Sequence, residues 1–177
     1  MGSVLVLGGA RSGKSSYAES LATRFSTVTY IATGIKHDND ADWQERIALH
    51  QSRRPSQWHL IETVDLPSAI GSLTGIGLID CLTLWLTSVL DGLEAWTKPR
   101  SSWGPILDEN IEALLTSVKG HDLIIVSNEI GFGVHPETAS GRLFRDELGR
   151  LNAQVAAICE EVVLVIAGIP MKLKGKS

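Results

Sequence analysis

Gly8-Gly9-Ala10-Arg11-Ser12-Gly13-Lys14-Ser15 decides the fold. It fits G-x-x-x-x-G-K-[ST], the pattern of a phosphate-binding loop. Such a loop needs a strand before it and a helix behind it. Val4-Leu5-Val6-Leu7 reads as a buried parallel strand, and Tyr17-Ala18-Glu19-Ser20-Leu21-Ala22 reads as a helix. The glycines let the backbone take positive φ and come close to a ligand. Successive N–H groups then converge on an anion, helped by the positive end of the following helix. Lys14 can reach the β- and γ-phosphates of a nucleotide, and Ser15 can offer its hydroxyl to Mg²⁺. Gly8, Gly9, Ala10, Arg11, Ser12, Gly13, Lys14 and Ser15 are therefore nucleotide-binding candidates. Lys14 is also a catalytic candidate and Ser15 a metal-ligand candidate.

Outward from the loop, strands alternate with helices. Val28–Ala32, Trp58–Glu62, Gly77–Asp80, Asp122–Glu129 and Val162–Ala167 read as strands. Gly13–Arg24, a stretch from Asp42 to before Pro55, Pro67–Leu73, Leu82–Leu90, Ile106–Val118 and Thr138–Glu160 read as helices. In the last of these, Phe144, Leu148, Leu151, Val155 and Ile158 repeat at helical spacing, an apolar stripe for packing on a sheet. The strands are continuously apolar rather than alternating, so both faces are covered. That pattern predicts an α/β fold with a mostly parallel central sheet flanked by helices, in one domain spanning residues 1–177. Ligands of such a sheet sit at the carboxyl ends of its strands. Gly8–Ser15, Thr33, Glu62, Asp80 and Glu129 each follow a strand and are expected along one edge. Asp91–Pro105 holds Gly92, Pro99, Gly104, Pro105, Trp96 and Trp103 and reads as a long surface excursion. The basic run Lys172–Ser177 reads as a fraying tail.

Composition narrows the classes. The 177 residues are 44% hydrophobic and 20% charged, ordinary for a globular domain with a sizeable core. A net charge of −4 gives no reason to expect nucleic acid or an anionic membrane as partner. No apolar run is long enough to span a bilayer, and the N-terminal stretch lacks the pattern of a signal peptide. Cys81 and Cys159 lie far apart in apolar stretches and read as buried free thiols in a reducing cytoplasm.

Other candidates carry weaker signals. Asp80 ends an apolar strand, where phosphate-loop proteins keep a second metal-coordinating carboxylate; a helix N-cap for Leu82 onward is compatible with that role. Glu62 could accept hydrogen bonds from the N1–H and 2-amino groups of guanine, or be a solvated strand end. Glu129 could be a further polar contact. His50 shares a helical stripe with Trp43, Ile47 and Arg54, and that periodicity suits a packed histidine as well as a catalyst. The neighbouring Arg46, Arg53 and Arg54 suit phosphate.

Several segments together resemble one family. They are the loop with Tyr17-Ala18-Glu19, then Tyr30-Ile31-Ala32-Thr33, and then Arg46-Ile47-Ala48-Leu49-His50-Gln51-Ser52-Arg53-Arg54-Pro55 leading to Trp58 and Glu62. Asp80-Cys81-Leu82-Thr83 and the block from Asn128-Glu129-Ile130-Gly131-Phe132-Gly133 through Asn152 continue it. The chain is similar, nearly throughout, to the adenosylcobinamide kinase / adenosylcobinamide-phosphate guanylyltransferase family. The resemblance implies a RecA-like phosphate-loop NTPase fold, usually trimeric, in late cobalamin assembly. It implies phosphorylation of adenosylcobinamide by ATP or GTP, then transfer of GMP from GTP to that phosphate through a guanylylated histidine, by position His50. Nucleotide contacts are implied for Thr33, Gly34, Ile35, Gln51, Ser52, Arg53, Arg54, Glu62 and Asp80, and Mg²⁺ for Ser15 and Asp80. Gly34–Asp40 departs from the family's usual loop. Rival readings are a phosphate-loop small-molecule kinase with no covalent step, and a GTP-binding regulator; an Asn-Lys-x-Asp guanine motif is missing from the sequence.

Overall fold

The computed structural model describes residues 2–34 and 55–175. The helix expected from Asp42, the segment Gly34–Asp40 beyond its first residue and the candidates Ile35, His50, Gln51, Ser52, Arg53 and Arg54 lie outside the described residues.

The strands are β1 (Val4–Gly8), β2 (Val28–Ala32), β3 (His59–Glu62), β4 (Ile76–Asp80), β5 (Leu123–Asn128), β6 (Glu161–Ile166) and β7 (Ile169–Lys174). They form one seven-stranded sheet in the order β3-β2-β4-β5-β1-β6-β7. Pairs among β1 to β6 are parallel, and β7 returns antiparallel to β6. The helices are α1 (Lys14–Ala22), α2 (Leu66–Gly71), α3 (Leu82–Gly92), α4 (Arg100–Val118) and α5 (Ala139–Ile158).

The continuous apolar strands feed two cores. Leu5 and Leu7 of β1, Ile31 of β2, Ile79 of β4 and Ile125 of β5 face the larger one, with residues of α2, α3, α4 and α5. Their neighbours Val4, Val6, Tyr30, Leu78 and Val126 face the smaller one, which is closed by Ala18, Leu21 and Ala22 of α1. Alternate side chains point to opposite faces, so a strand with apolar residues at every position is buried from both sides. The stripe on α5 behaves as expected: Leu148, Leu151 and Val155 are fully buried in the larger core. Thr138 caps that helix by accepting from the Gly141 N–H at 3.1 Å.

Two expectations are corrected. The excursion Asp91–Pro105 is not irregular throughout, because α4 starts at Arg100 and contains Pro105. Burial overrides the local breakers: Trp103 is only 2% exposed, and its indole N–H donates to Lys98 O at 3.0 Å. The expected fraying tail is instead strand β7 over Ile169–Lys174. Ile166 pairs with Ile169 across a two-residue turn, Ala167-Gly168, whose φ values are 51° and 79°. Positive φ at both central residues suits a hairpin, since it matches the twist of the flanking strands. Lys174 is then tied down, donating from Nζ to Ala156 O and Ala157 O at 2.8 and 2.9 Å.

Candidate active site

Parallel pairing brings the strand ends to one edge. Ala32 sits opposite both Glu62 and Asp80, Asp80 opposite Val126, and Gly8 opposite Asn128. The phosphate loop, Thr33, Glu62, Asp80 and Glu129 therefore line that edge, as the alternation of elements predicts. Asp80 is two strands from the loop. Glu62 ends the edge strand β3, four inter-strand steps from β1, about 19 Å along the sheet edge.

The loop itself is a tight wrap. Ser12 N–H donates to Gly9 O at 3.2 Å, and Tyr17 N–H donates to Gly13 O at 2.9 Å, opening α1. Arg11 at φ 57° and Gly13 at φ 93° take left-handed backbone. Gly8 has no room for a side chain: an added Cβ would lie 2.3 Å from Ser12 Oγ and 2.7 Å from Val165 O. Lys14 Nζ rests on Gly9 O at 3.1 Å, folded over the loop. Burial lowers the Lys14 pKa from its ordinary value, while Cys81 and Asp80, negative when ionised, oppose that shift. A cation part-removed from water, lying over the phosphate loop, is placed to bind a polyphosphate.

Residues that the motif does not contain hold this arrangement. The Gly168 N–H, in the β6–β7 turn, donates to Ser12 O at 2.8 Å, and a Cβ on Gly13 would lie 3.2 Å from Gly168 Cα. The hairpin thus braces the loop from outside. The sequence signal for it is weak, a glycine, Gly168, just after the apolar run Val162–Ile166. Tyr30 O–H donates to Asp80 Oδ2 at 2.9 Å and orients that carboxylate. Thr33 is 1% exposed. Its hydroxyl donates to Cys81 O at 2.6 Å and accepts from the Cys81 N–H at 3.0 Å. In this structure Thr33 fastens the end of β2 to the residue after Asp80. Burial, with the charge of Asp80, pushes the Cys81 thiol up to about 11, so it stays protonated. Both Cys81 and Cys159 are buried free thiols. Glu129 accepts from the Gly131 N–H at 2.6 Å and shapes its own loop. Thr83 Oγ1 accepts from the Asn128 N–H at 2.9 Å, joining β5 to α3.

The donor set fits Mg²⁺ held largely by substrate. Ser15 opens α1 directly after Lys14, and Asp80 stands across the same edge with one oxygen already oriented. Among the described residues, no group of three or more His, Cys, Asp or Glu could hold a metal by itself. Mg²⁺ commonly takes one or two protein oxygens and completes its shell from phosphates and water. Among the described residues, no helix is long and apolar enough to cross a membrane.

This geometry defines a phosphate-loop nucleotide-binding protein of the parallel α/β class. Solved structures agree on the fold alone. The ATPase of a type III secretion system of pathogenic bacteria aligns over 97% of this chain and 56% of its own, with TM-score 0.57 and 11% identity. A protein from Pyrococcus horikoshii aligns over 99% of this chain and 87% of its own, with TM-score 0.53 and 7% identity.

Residues 4–173 match the family described as cobinamide kinase / cobinamide phosphate guanyltransferase, and the chain belongs to that family. It is 42% identical to the bifunctional adenosylcobalamin biosynthesis protein CobP of Pseudomonas aeruginosa, covering 97% of each chain. It is 35% identical to the bifunctional adenosylcobalamin biosynthesis protein CobU of Escherichia coli, covering 97% of this chain and 99% of the relative.

Proposed function

We propose that this chain phosphorylates adenosylcobinamide with ATP or GTP and then transfers GMP from GTP to the phosphate, giving adenosylcobinamide-GDP in cobalamin biosynthesis. The observation that carries the reading is the family match over residues 4–173. The loop geometry supports it, because both reactions need a polyphosphate held at one edge.

In the first reaction the acceptor hydroxyl oxygen bonds to the γ-phosphorus. The bond from that phosphorus to the bridging oxygen breaks, the nucleoside diphosphate leaves, and the hydroxyl proton goes to solvent. The loop N–H groups from Gly8 to Ser15 and the Lys14 ammonium neutralise the charge that builds on the leaving phosphates. In the second, an imidazole nitrogen of His50 bonds to the α-phosphorus of GTP and pyrophosphate leaves. An oxygen of adenosylcobinamide phosphate then attacks that phosphorus, the P–N bond breaks, and His50 is regenerated. Neutral imidazole is a competent nucleophile near neutral pH. Mg²⁺, held by Ser15 and Asp80 with the phosphates, would supply further neutralisation of the departing charge.

Thr33, Gly34, Ile35, Gln51, Ser52, Arg53 and Arg54 are assigned to the nucleotide on the family resemblance. Glu62 is assigned to the guanine edge, and its place at the far end of the strand row supports a contact remote from the phosphates. The same reading has the chain working as one domain, a cytoplasmic homotrimer, with neither nucleic acid nor membrane insertion involved.

GTP labelled at the α-phosphate tests the covalent step. The expected result is a protein-bound label that survives base, is lost in acid, and disappears in His50→Ala. Absence of label in a protein that still phosphorylates cobinamide would leave a kinase alone. γ-Labelled nucleotide tests the kinase half through label transferred to cobinamide.

A further inference from the structure

The loop between β5 and α5 starts beside the phosphate loop and ends in an anchored clasp. At its root the Glu129 N–H donates to Gly8 O at 3.1 Å, so it leaves the sheet one hydrogen bond from the phosphate cradle. Glu129 closes the first turn on the Gly131 N–H, and Ile130 packs against the larger core. At the far end Arg142 Nη1 donates to Pro136 O and Glu137 O at 3.0 and 2.6 Å. Arg145 Nη2 lies 2.8 Å from His135 Nδ1. Between these anchors Phe132 is 82% exposed and Val134 is 94% exposed.

Two large apolar side chains on a doubly anchored loop forgo burial that a collapsed loop would gain. Their place says what they meet. An acceptor must bring its hydroxyl to the γ-phosphorus while the nucleotide fills the cradle, so its body must cover neighbouring parts of the same edge. Cobinamide is a broad macrocycle with apolar faces and methyl groups and an amide-bearing rim. Its size lets it cover both the cradle mouth and the adjoining loop. We propose that Phe132 and Val134 form an apolar platform for the corrin ring of the acceptor, rooted beside Gly8. This rests on the cobinamide reading above and adds where that substrate lies. A second copy of the chain against this loop is the competing occupant.

The experiment uses the full chain. Phe132→Ser/Val134→Ser is compared with wild type and with Phe132→Leu/Val134→Ile. Cobinamide binding is read by equilibrium dialysis from its visible absorbance. Phosphoryl transfer gives KM for cobinamide and for nucleotide, and sedimentation gives the assembly mass. The serine pair is expected to weaken cobinamide binding and raise its KM by roughly tenfold or more, with nucleotide KM and mass unchanged. The leucine/isoleucine pair is expected to stay near wild type. Unchanged cobinamide binding in the serine pair overturns the platform. A changed assembly mass overturns it too, making the loop a subunit contact. Wild-type protein that binds cobinamide without phosphorylating it counts against the kinase reading but leaves the platform standing. Wild-type protein that does not bind cobinamide overturns both.

Discussion

Two loops leave adjacent strands at the same sheet edge and are built on opposite plans. The phosphate loop after β1 works with its backbone. Its glycines leave the backbone bare, and the Lys14 side chain folds back on Gly9 O. The loop after β5 works with its side chains, holding Phe132 and Val134 outward between hydrogen-bonded anchors. Charge is gathered by fixed dipoles that need no reorganisation, whereas apolar surface is gathered by area alone. A transferase joining a polyanion to a large ring needs both, and one sheet edge carries both here.

The sharpest way to break this contrast is Lys14→Ala. It should cut both transfer reactions by about a hundred- to a thousand-fold, the scale of losing one preorganised charge donor, while cobinamide binding persists. Loss of cobinamide binding in the same variant would merge the two loops into one site. Gly8→Ala comes next. Its Cβ would meet the backbone oxygen of Val165 at 2.7 Å, which cannot swing aside. Nucleotide affinity should fall by roughly tenfold or more, measured by titration calorimetry, for about 1.4 kcal/mol or more of lost binding.

Thr33→Val sharpens the contrast from below. It strands the buried Cys81 N–H, while Cys81 O keeps the Trp85 N–H, at a cost of about 1–3 kcal/mol. A chain of this size should then melt several degrees lower, on the order of 3–10 °C. A Thr33→Val protein that melts like wild type would show that the fastening contributes nothing. The smallest effect is on pH dependence. The Lys14 pKa is lowered, so as pH rises Lys14 loses its proton before an exposed lysine would, and nucleotide affinity should fall with it. For stability the sign is opposite. The folded state holds that proton less tightly than the unfolded state, so the nucleotide-free protein gains stability from this group as pH rises through that range. Lys14→Arg should flatten the alkaline limb of binding; an unchanged limb would assign it to another group.

Much of this was legible in the sequence for a physical reason: both the strands and the phosphate loop are local patterns. A run such as Leu123-Ile124-Ile125-Val126 can satisfy itself only between two covered faces, and the loop motif spells its own backbone. What escaped depended on distant partners. Strand β7 contains Pro170, Lys172 and Lys174, which read as polar and broken, and its hairpin turn uses Ala167 where Asn or Asp would have announced it. Helix α4 passes through Gly104 and Pro105 because Trp103 finds the core. Thr33 sits at the expected strand end, yet its hydroxyl is engaged with Cys81, a pairing between β2 and β4 that spacing does not reveal. Nothing local marks Phe132 and Val134 as outward-facing; their exposure follows from the anchors on either side of them.

The Gly168 N–H that braces Ser12 ties the phosphate loop to a segment made long after it. During synthesis the cradle therefore stays unsupported until β6 and the turn after it have emerged from the ribosome. A stop codon just ahead of Ala167 would leave the signature motif intact on paper and its grip on nucleotide slack.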